Sequence, residues 1–452
     1  MAKYDTVRIL LALAAKFDLE LDQMDVRTAF LNADLKEDIY LKQPSGFEDP
    51  EHPDWVWKLE KAIYGLKQAG YEWNQTLDEH LRKEGFKFVR SEADHSLYVL
   101  HEDGKVIWLV VYVDDMLAAS NCRIHLDNFK AKLKQRFDLT DLGPARHFLG
   151  MHITRDREKR LLTVSQKSYL EKILENAGMS HCNPVSTPMT PGLVLQKATR
   201  TPTEAEAIDI ASIPYRKTIG ELNYAMRTTR PDIAYPVSCL SRYMENPSID
   251  HHRQLKHLLR YIRGTTDLML IFGSSDTGLI GHSDSDYAAD RDDSKSTSAY
   301  VYTLFGGPIS WKSQKQSVVA TSTTEAEYIG LSNASREALY LTQLLHDFRL
   351  DPTLYDPALL YGDNQASIAL SKNPKFHERA KHIRVHYHLI RDLVETNKID
   401  LRYKATSEMI ADSLTKALPR PALVRHREEM GLLQESRDPS NVSTSGSVKT
   451  NG

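Results

Sequence analysis

Three carboxylic acids near the start of the chain occupy positions where apolar stretches end. Asp114 and Asp115 are adjacent and lie between two apolar stretches, and Asp25 follows a third such stretch. Carboxylates this close repel each other unless a divalent cation neutralises them. Three carboxylates that meet at one sheet edge are able to hold two Mg²⁺ or Mn²⁺ ions for phosphoryl transfer. The alternatives are a solvated Asp-Asp turn and, for Asp25, a turn or helix cap.

A second set of four carboxylic acids lies in the C-terminal half. Asp284 falls on a predicted strand, Glu327 near a helix start, Asp363 at a strand end and Asp412 on a predicted helix. Four carboxylates from separate elements around one sheet suit a phosphodiester hydrolase that uses two divalent metal ions.

Two members of this set have close competitors. Glu325 and Glu327 point about 200° apart on a helix. Glu327 shares a stripe with small and apolar residues such as Leu331, so we choose Glu327 as the ligand and expect Glu325 to interact with the helix dipole. The strand pattern fades after Asp284, which makes Asp286 the weaker candidate. Asp363 is also predicted to cap the following helix.

Basic residues form two further groups. Four of them recur at helical spacing, which indicates either a solvated helix face or a surface that follows nucleic-acid phosphates; they are Arg253, Lys256, Arg260 and Arg263. A second basic stretch, residues 371–391, contains Lys381, His382 and Arg384. Its clustered histidines lack a nearby cysteine pair, which argues against zinc.

Composition limits the class of protein. The chain has 452 residues, a length typical of about three domains. Its formal charge of −3 excludes a uniformly basic surface, so any nucleic-acid contact must use local patches. Three widely spaced cysteines favour a reducing compartment. We therefore expect a protein that is not secreted.

The hydrophobic pattern predicts the elements that position these side chains. Residues 19–24 form a strand, and residues 106–119 form two strands pinched at Asp114 and Asp115. Further strands are predicted over residues 279–283, 299–304, 307–312, 358–361 and 399–403. Helices are predicted over residues 77–84, 165–177, 215–228, 233–244, 250–263, 324–348, 365–371, 382–396 and 408–417. Residues 183–213 are predicted to be a linker, and the end of the chain, after about Leu433, a disordered tail.

Several stretches resemble the reverse transcriptase of copia-type LTR retrotransposons, in order and spacing. They are QMDVRTAFLN at 23–32, AIYGLKQA at 62–69, YVDD at 112–115, DLG at 141–143 and FLG at 148–150. Other stretches resemble the RNase H domain of the same elements. They are GHSDSDY at 281–287, ISWKS at 309–313, STTEAEY at 322–328, GDNQ at 362–365 and ADSLTK at 411–416.

This resemblance implies a multidomain α/β and α+β protein, with a partial right-hand polymerase followed by an RNase H-like mixed sheet. Residues 1–155 would be a partial reverse transcriptase (palm and part of the fingers), and 156–275 a thumb or connection. Residues 276–420 would be RNase H, and 421–452 a mostly disordered tail. The implied substrates and partners are an RNA template, a DNA primer, an RNA–DNA hybrid, deoxynucleoside triphosphates and other polyprotein products, with no membrane.

The resemblance also implies roles for individual residues. All seven carboxylates of the two sets would be catalytic metal ligands, with two Mg²⁺ or Mn²⁺ ions per site. Phe30 would lie under the incoming sugar and exclude a 2′-hydroxyl, while Gln68 and Tyr112 would belong to the nucleotide site. The family's Ala-Pro-Arg-Ala-Trp is replaced at 69–73 by a sequence in which Tyr71 stands at the Arg position.

Most of the basic segment that precedes the first motif in such polymerases is absent ahead of Asp25. We therefore expect an N-terminally truncated polymerase joined to a complete nuclease ligand set. The alternative is a decayed element that binds nucleic acid or partner chains without polymerase activity, with or without a working RNase H. The family implies a location in cytoplasmic retrotransposon particles, with the nucleus as a second location.

Overall fold

The structure, a computed structural model, describes residues 2–372 and 384–435. The chain divides into two compact units. The first contains residues 2–6 and 19–148, and the second contains residues 7–18 and the described residues from 149 onward. Among the described helices, none combines the length and the apolar character needed to cross a membrane.

The first unit is built around a six-stranded sheet. The strands of the first unit are β1 Glu20–Val26, β2 Asp34–Lys42, β3 Val56–Lys61, β4 Val89–Arg90, β5 Leu97–Glu102, β6 Lys105–Tyr112, β7 Asp115–Ser120, β8 Leu139–Pro144 and β9 His147–Phe148. The sheet has the strand order β4-β5-β6-β7-β1-β8, and β2 and β3 form a separate two-stranded hairpin. Helices α2 Ala69–Glu79 and α3 Arg123–Arg136 belong to this unit, and a π-helical turn, His80–Glu84, continues α2.

The centre of this sheet is apolar on both faces. Residues Val106–Val111 of β6 are all buried, and β7 is buried from Met116 to its end. Continuous apolar strands of this kind are covered by other elements on both sides. The predicted pair of strands at residues 106–119 is confirmed, and the chain reverses direction at residues 113 and 114. The turn with Asp114 and Asp115 is thus presented by a rigid sheet.

The second unit begins with helix α1, Tyr4–Lys16, whose first residues belong to the first unit. Its other described helices are α4 Lys167–Asn176, α5 Glu204–Ala211, α6 Tyr215–Thr228, α7 Ala234–Ser241, α8 Ile249–Arg263, α9 Thr323–Asp347, α10 Gln365–Lys372, α11 Arg384–Glu395 and α12 Arg420–Glu429. Its described strands are β10 Met151–Asp156, β11 Leu161–Ser165, β12 Leu268–Phe272, β13 Ile280–Ser285, β14 Thr297–Leu304, β15 Gly307–Lys315, β16 Ala358–Gly362, β17 Ile399–Tyr403 and β18 Leu432–Gln434.

A mixed sheet positions the second carboxylate set. Its strand order is β15-β14-β13-β16-β17. The β14 strand pairs antiparallel with both β13 and β15, whereas β16 pairs parallel with both β13 and β17. Helix α9 packs on β13, β14 and β16. The mixed sheet with flanking helices that the sequence predicts is confirmed as an architecture.

A buried ion pair, Arg230 with Asp232, connects several segments in the helical part of the second unit. Arg230 has no solvent exposure, and its guanidinium donates to both carboxylate oxygens of Asp232, at 2.9 and 2.8 Å. The guanidinium also donates to the Thr265 carbonyl at 3.0 Å, and the Tyr261 hydroxyl donates to Asp232 at 2.7 Å. Burial is tolerated because nearly every polar atom of the pair has a partner.

Two predictions about segments are wrong. The predicted linker, residues 183–213, contains α5 and also contributes Met189, Leu195 and Ile213 to the helical core, because these apolar side chains are buried there. The predicted helix 408–417 is instead a pair of 3₁₀ turns, Thr406–Glu408 and Ile410–Leu414.

Residues 421–435, the first part of the segment 421–452 predicted to be mostly disordered, are ordered, whereas the boundary predicted from composition, about Leu433, falls within β18. They belong to α12 and β18, and β18 pairs with β12. The apolar side chains of Leu423, Met430, Leu432 and Leu433 are buried, which accounts for the order. Residues 436–452 lie outside the described part of the chain. The division at residues 155 and 275 stays a prediction, because the compact units separate only at residue 148.

Candidate functional site

The first three carboxylates, here called the N-terminal trio, come together at one end of the first unit's sheet. Asp25 on β1 lies directly opposite Asp115, the first residue of β7. Asp114 occupies the turn before β7, and its carbonyl accepts a hydrogen bond from the Val26 amide at 3.0 Å. Two strand ends and one turn therefore bring these side chains to the same sheet edge.

The turn that carries Asp114 is held in a strained conformation. Val113 has φ of 59°, in the left-handed region that a β-branched residue rarely adopts. The Trp73 indole N–H donates to the Val113 carbonyl at 2.7 Å, and the Trp73 ring is buried. Strain of this kind persists only where the surroundings fix the backbone, and it is often found at functional sites.

Electrostatics inside the trio favour a bound cation. Burial raises the pKa of Asp25, and the charge of Asp114 raises it further. The pKa of Asp115 is raised by burial, then by Asp114 and by Asp25. All three offer hard oxygen ligands, so the donor set fits Mg²⁺ or Mn²⁺.

The predicted nucleotide residues are distributed unevenly around the trio. Tyr112, half-buried, pairs with Asp115 across the hairpin. The ring of Phe30 lies 4.5 Å from that of Tyr64, and the Tyr64 hydroxyl donates to Asp114 at 3.2 Å. Gln68 precedes α2, and its amide donates to Glu37 at 3.5 Å. Phe30 and Tyr112 thus lie near the trio, while Gln68 contacts Glu37.

Sequence reasoning missed Tyr64 and Trp73 as parts of this site. Tyr64 contacts a trio carboxylate directly, and Trp73 supports the turn between β6 and β7. Both residues lie in or just after the stretch at 62–69 that carries the family resemblance. Their position in or next to this stretch is the sequence feature that could have identified them as parts of the site.

The second carboxylate set, here called the C-terminal group, is assembled from four elements. Asp284 lies on β13 and Asp363 directly follows β16, the parallel neighbour of β13, so the carboxyl ends of the two strands meet at one edge. Asp412 lies on the 3₁₀ turn and Glu327 on the first part of α9. Ligand oxygens of Asp284, Asp363 and Asp412 lie within 4.8 Å of one another.

Within the described ranges, no other set of three acidic, histidine or cysteine side chains is this close. The ligand atoms of the N-terminal trio are therefore farther apart. The difference has a structural basis. The trio sits at an open hairpin end and its side chains are half-buried, whereas Asp284, Asp412 and Glu327 are only 3%, 5% and 9% exposed. The C-terminal group is thus the tighter of the two candidate metal sites.

Burial and mutual repulsion both act on the C-terminal group. Burial raises the pKa of Asp284, and the neighbouring charge of Asp412 raises it further. Burial also raises the pKa of Glu327, with added repulsion from Asp284 and Asp363. Carboxyl groups that share a buried site cannot all ionise without a compensating cation. This donor set therefore fits divalent metal ions, which would favour the ionised forms.

Three further side chains hold these carboxylates, and the sequence reasoning had not singled them out. The Thr415 hydroxyl donates to Asp284, and the Thr406 hydroxyl donates to Asp363 at 2.7 Å. The ammonium of Lys416 lies 2.8 Å from Oδ1 of Asp412. Thr415 and Lys416 belong to the stretch at 411–416 that carries the resemblance, which was the signal available for them.

The competing acids have other partners. The Glu325 carboxylate accepts a hydrogen bond from the Thr321 amide at 2.8 Å, before the start of α9. Asp286 accepts from the Thr297 amide at 2.8 Å. Neither of them belongs to the close group of ligand atoms in the described residues.

The predicted capping role of Asp363 is wrong. The side chain of Asn364 accepts from the Ser367 amide at 2.9 Å and so caps α10. The residue directly before the first helical residue has the geometry for this bond, and Asp363 lies one position too early. Its carboxylate is left to face Thr406 and the other acids.

The basic residues of α8 are engaged within the second unit. Arg253 pairs with Asp250 at 3.2 Å, and Lys256 pairs with Asp209. Arg260 and Arg263 donate to the carbonyls of residues 183 and 180, at 2.7 and 2.8 Å. Each side chain therefore has a structural contact, and phosphate binding by this face stays a prediction. Lys381 and His382 lie outside the described residues, and Arg384 begins α11.

Comparison with known proteins gives similarity to one family model and to two longer polyproteins. A family model described as "Reverse transcriptase (RNA-dependent DNA polymerase)" matches residues 1–191. The "Retrovirus-related Pol polyprotein from transposon TNT 1-94" of Nicotiana tabacum is 41% identical over 96% of this chain and 32% of its own length. The corresponding polyprotein from transposon RE2 of Arabidopsis thaliana is 38% identical over 96% of this chain and 29% of its own length.

A shorter relative is matched along its full length. A transposon Ty5-1 protein of Saccharomyces cerevisiae is 37% identical over 70% of this chain and 100% of its own length. By contrast, the chain spans about a third of the two polyproteins.

Proposed function

This chain belongs to the copia-type retrotransposon Pol polyproteins, and from that premise we propose that it carries two phosphoryl-transfer activities. The first is RNA-directed DNA synthesis at the N-terminal trio, and the second is hydrolysis of the RNA strand of an RNA–DNA hybrid at the C-terminal group. The observation that carries the proposal is the assembly of two separate carboxylate sites, one in each compact unit.

For DNA synthesis, Asp25, Asp114 and Asp115 are the proposed metal ligands. The strained turn at Val113 and the Trp73 hydrogen bond fix Asp114 relative to the sheet, so the ligands are oriented before substrate arrives. Phe30, whose ring contacts Tyr64, forms the proposed wall against the sugar of the incoming deoxynucleoside triphosphate. A primer and an RNA template are the remaining proposed substrates.

For hydrolysis, Asp284, Glu327, Asp363 and Asp412 are the proposed ligands. Thr415 and Thr406 orient Asp284 and Asp363 through hydrogen bonds. When bound, two Mg²⁺ or Mn²⁺ ions per site would supply positive charge to the phosphodiester and lower the pKa of the attacking water. The raised pKa values of Asp284 and Glu327 support this role, because the ionised ligand set is disfavoured until a cation arrives.

The proposal extends to partners and place of action. The nucleic-acid partners are an RNA template, a DNA primer and their hybrid, and further partners are other products of the same polyprotein. The place of action is the cytoplasmic retrotransposon particle, with a nuclear stage as the second location.

A single reaction tests both activities. An RNA template annealed to a DNA primer, with both strands labelled, is incubated with Mg²⁺, the four deoxynucleoside triphosphates and the full chain. We expect RNA cleavage and primer extension from the wild-type protein. Asp114→Asn should lose extension and keep cleavage, whereas Asp412→Asn should lose cleavage and keep extension.

The outcomes separate the two activities from each other and from simple binding. Cleavage without extension in the wild-type protein would refute polymerase activity for this chain. Cleavage that survives Asp412→Asn would refute the nuclease site. A folded protein that shifts the hybrid on a gel but neither cuts nor extends it, even with Mn²⁺, would identify a non-catalytic nucleic-acid-binding element.

A further inference from the structure

A lysine lies within the C-terminal carboxylate group. The ammonium of Lys416 is 2.8 Å from Oδ1 of Asp412, four residues earlier in the chain. The Lys416 amide also donates to the Asp412 carbonyl at 3.2 Å, which keeps the two residues on one short turn. The Lys416 side chain is 44% exposed and that of Asp412 only 7%. The cation therefore covers a buried carboxylate from the solvent side.

The charge of Lys416 reaches beyond Asp412. It opposes the upward shifts that burial and repulsion impose on the pKa values of Asp284 and Glu327. Burial lowers the pKa of Lys416, but Asp284, Asp412 and Asp363 outweigh this and raise it. The ammonium contacts Asp412 directly, and ligand oxygens of Asp284 and Asp363 lie within 4.8 Å of that of Asp412, so its charge acts on the group as well as on one partner.

We propose that Lys416 is the resident counter-ion of the C-terminal carboxylate group, holding the four acids together without metal and weakening the binding of divalent cations. The proposal rests on the metal site of the proposed nuclease. With all four carboxylates ionised, as the metal-bound site requires, the ammonium leaves three net negative charges, one fewer than two divalent ions neutralise. The first divalent ion reduces this to one net negative charge, where a site without the ammonium would keep two, so Lys416 weakens the binding of the second ion in particular.

Replacement of Lys416 should affect metal-free stability and metal affinity in opposite directions, and this distinguishes a counter-ion from a lysine that only packs. A lysine that only packs against Asp412 would, when replaced, destabilise the protein equally with and without metal. A counter-ion that competes with metal would, when replaced, destabilise the metal-free protein but strengthen metal binding. The chain offers a matched control in Lys404, whose ammonium contacts His282 at 3.2 Å. The Lys404 ammonium also lies over the Tyr361 ring, so its contacts are with aromatic side chains, whereas Lys416 contacts a carboxylate.

The test is a calorimetric titration of the EDTA-stripped full chain with Mn²⁺, in an Asp115→Asn background that disables the N-terminal trio. We expect Lys416→Gln to bind Mn²⁺ roughly tenfold more tightly, a moderate effect because a half-exposed charge is screened by solvent. Lys416→Arg and Lys404→Gln should match the parent protein. Asp412→Asn should weaken binding and so assign the titrated site.

Thermal unfolding supplies a second measurement. Lys416→Gln should lower the melting temperature in EDTA, and saturating Mn²⁺ should close the gap to the parent protein. Unchanged or weaker Mn²⁺ binding by Lys416→Gln, or an equal loss of stability with and without Mn²⁺, would overturn the counter-ion role while leaving the metal site intact. Absence of any Mn²⁺ binding that depends on Asp412 would instead remove the metal site, and with it both proposals.

Discussion

Replacing Glu327 by Gln should abolish RNA cleavage and, in the absence of metal, stabilise the protein. Glu327 is 9% exposed, and burial together with the charges of Asp284 and Asp363 raises the pKa of its carboxyl group to about 10 when no metal is bound. In the unfolded chain the same group ionises near the ordinary glutamate pKa of 4.5. The folded protein therefore binds a proton that the unfolded chain releases.

This difference fixes the sign and the size of the pH dependence. A carboxyl group whose pKa is higher in the folded protein does not reduce the unfolding free energy at pH values below its pKa in the unfolded chain. The loss of unfolding free energy then grows as pH rises toward the pKa in the folded protein. Each pH unit above 4.5 costs about 1.4 kcal/mol, so at pH 7.5 the upper bound is about 4 kcal/mol. Gln has nearly the same shape and no proton to lose, so Glu327→Gln should recover about 2 kcal/mol of unfolding free energy at that pH.

Urea denaturation in EDTA at pH 5.5 and 7.5 measures this effect, and hybrid cleavage in Mg²⁺ measures the loss of activity. The gain in stability should be larger at pH 7.5. Glu325→Gln is the matched control on the same helix, because its carboxylate is half-buried and contacts Thr321; it should retain cleavage and lose up to about 1 kcal/mol of unfolding free energy. A Glu327→Gln protein that is less stable than wild type at both pH values would refute the assigned burial and repulsion.

Three other predictions concern different parts of the molecule. Arg230→Ala should cost about 3–5 kcal/mol in urea denaturation, because it leaves Asp232 charged, buried and without its main partner; a loss below about 1 kcal/mol would contradict the buried pair. Burial alone would raise the pKa of Asp22, but hydrogen bonds from Arg123 and Lys130 lower it, so its stabilisation is lost as pH falls below about 4. Lys130→Met should therefore move acid unfolding of the first unit, followed by near-ultraviolet circular dichroism, to higher pH, and an unchanged midpoint would count against this network. Phe30→Val should admit ribonucleoside triphosphates in primer extension, and undiminished discrimination would place the sugar elsewhere.

Local sequence patterns predicted the elements well where burial is regular. The helix predicted at residues 215–228 and the strand predicted at 399–403 coincide with α6 and β17. The predicted linker was wrong because the prediction rested on the Pro, Thr and Ser content of residues 183–213 and gave no weight to their apolar side chains. Met189 and Leu433 are buried only because the rest of the second unit provides apolar surface for them to cover.

The sequence by itself determined which acids could form metal sites, because the choice of residues and their motif order are properties of the chain. It also determined the alternation of apolar strands and helices that places Asp115 and Asp284 at sheet edges. Tertiary structure decided that Asp363 faces the other acids while Asn364 caps the helix. It also decided that Lys416 lies on Asp412. These distances depend on strand register and on how a 3₁₀ turn packs, and no local pattern in the sequence encodes either.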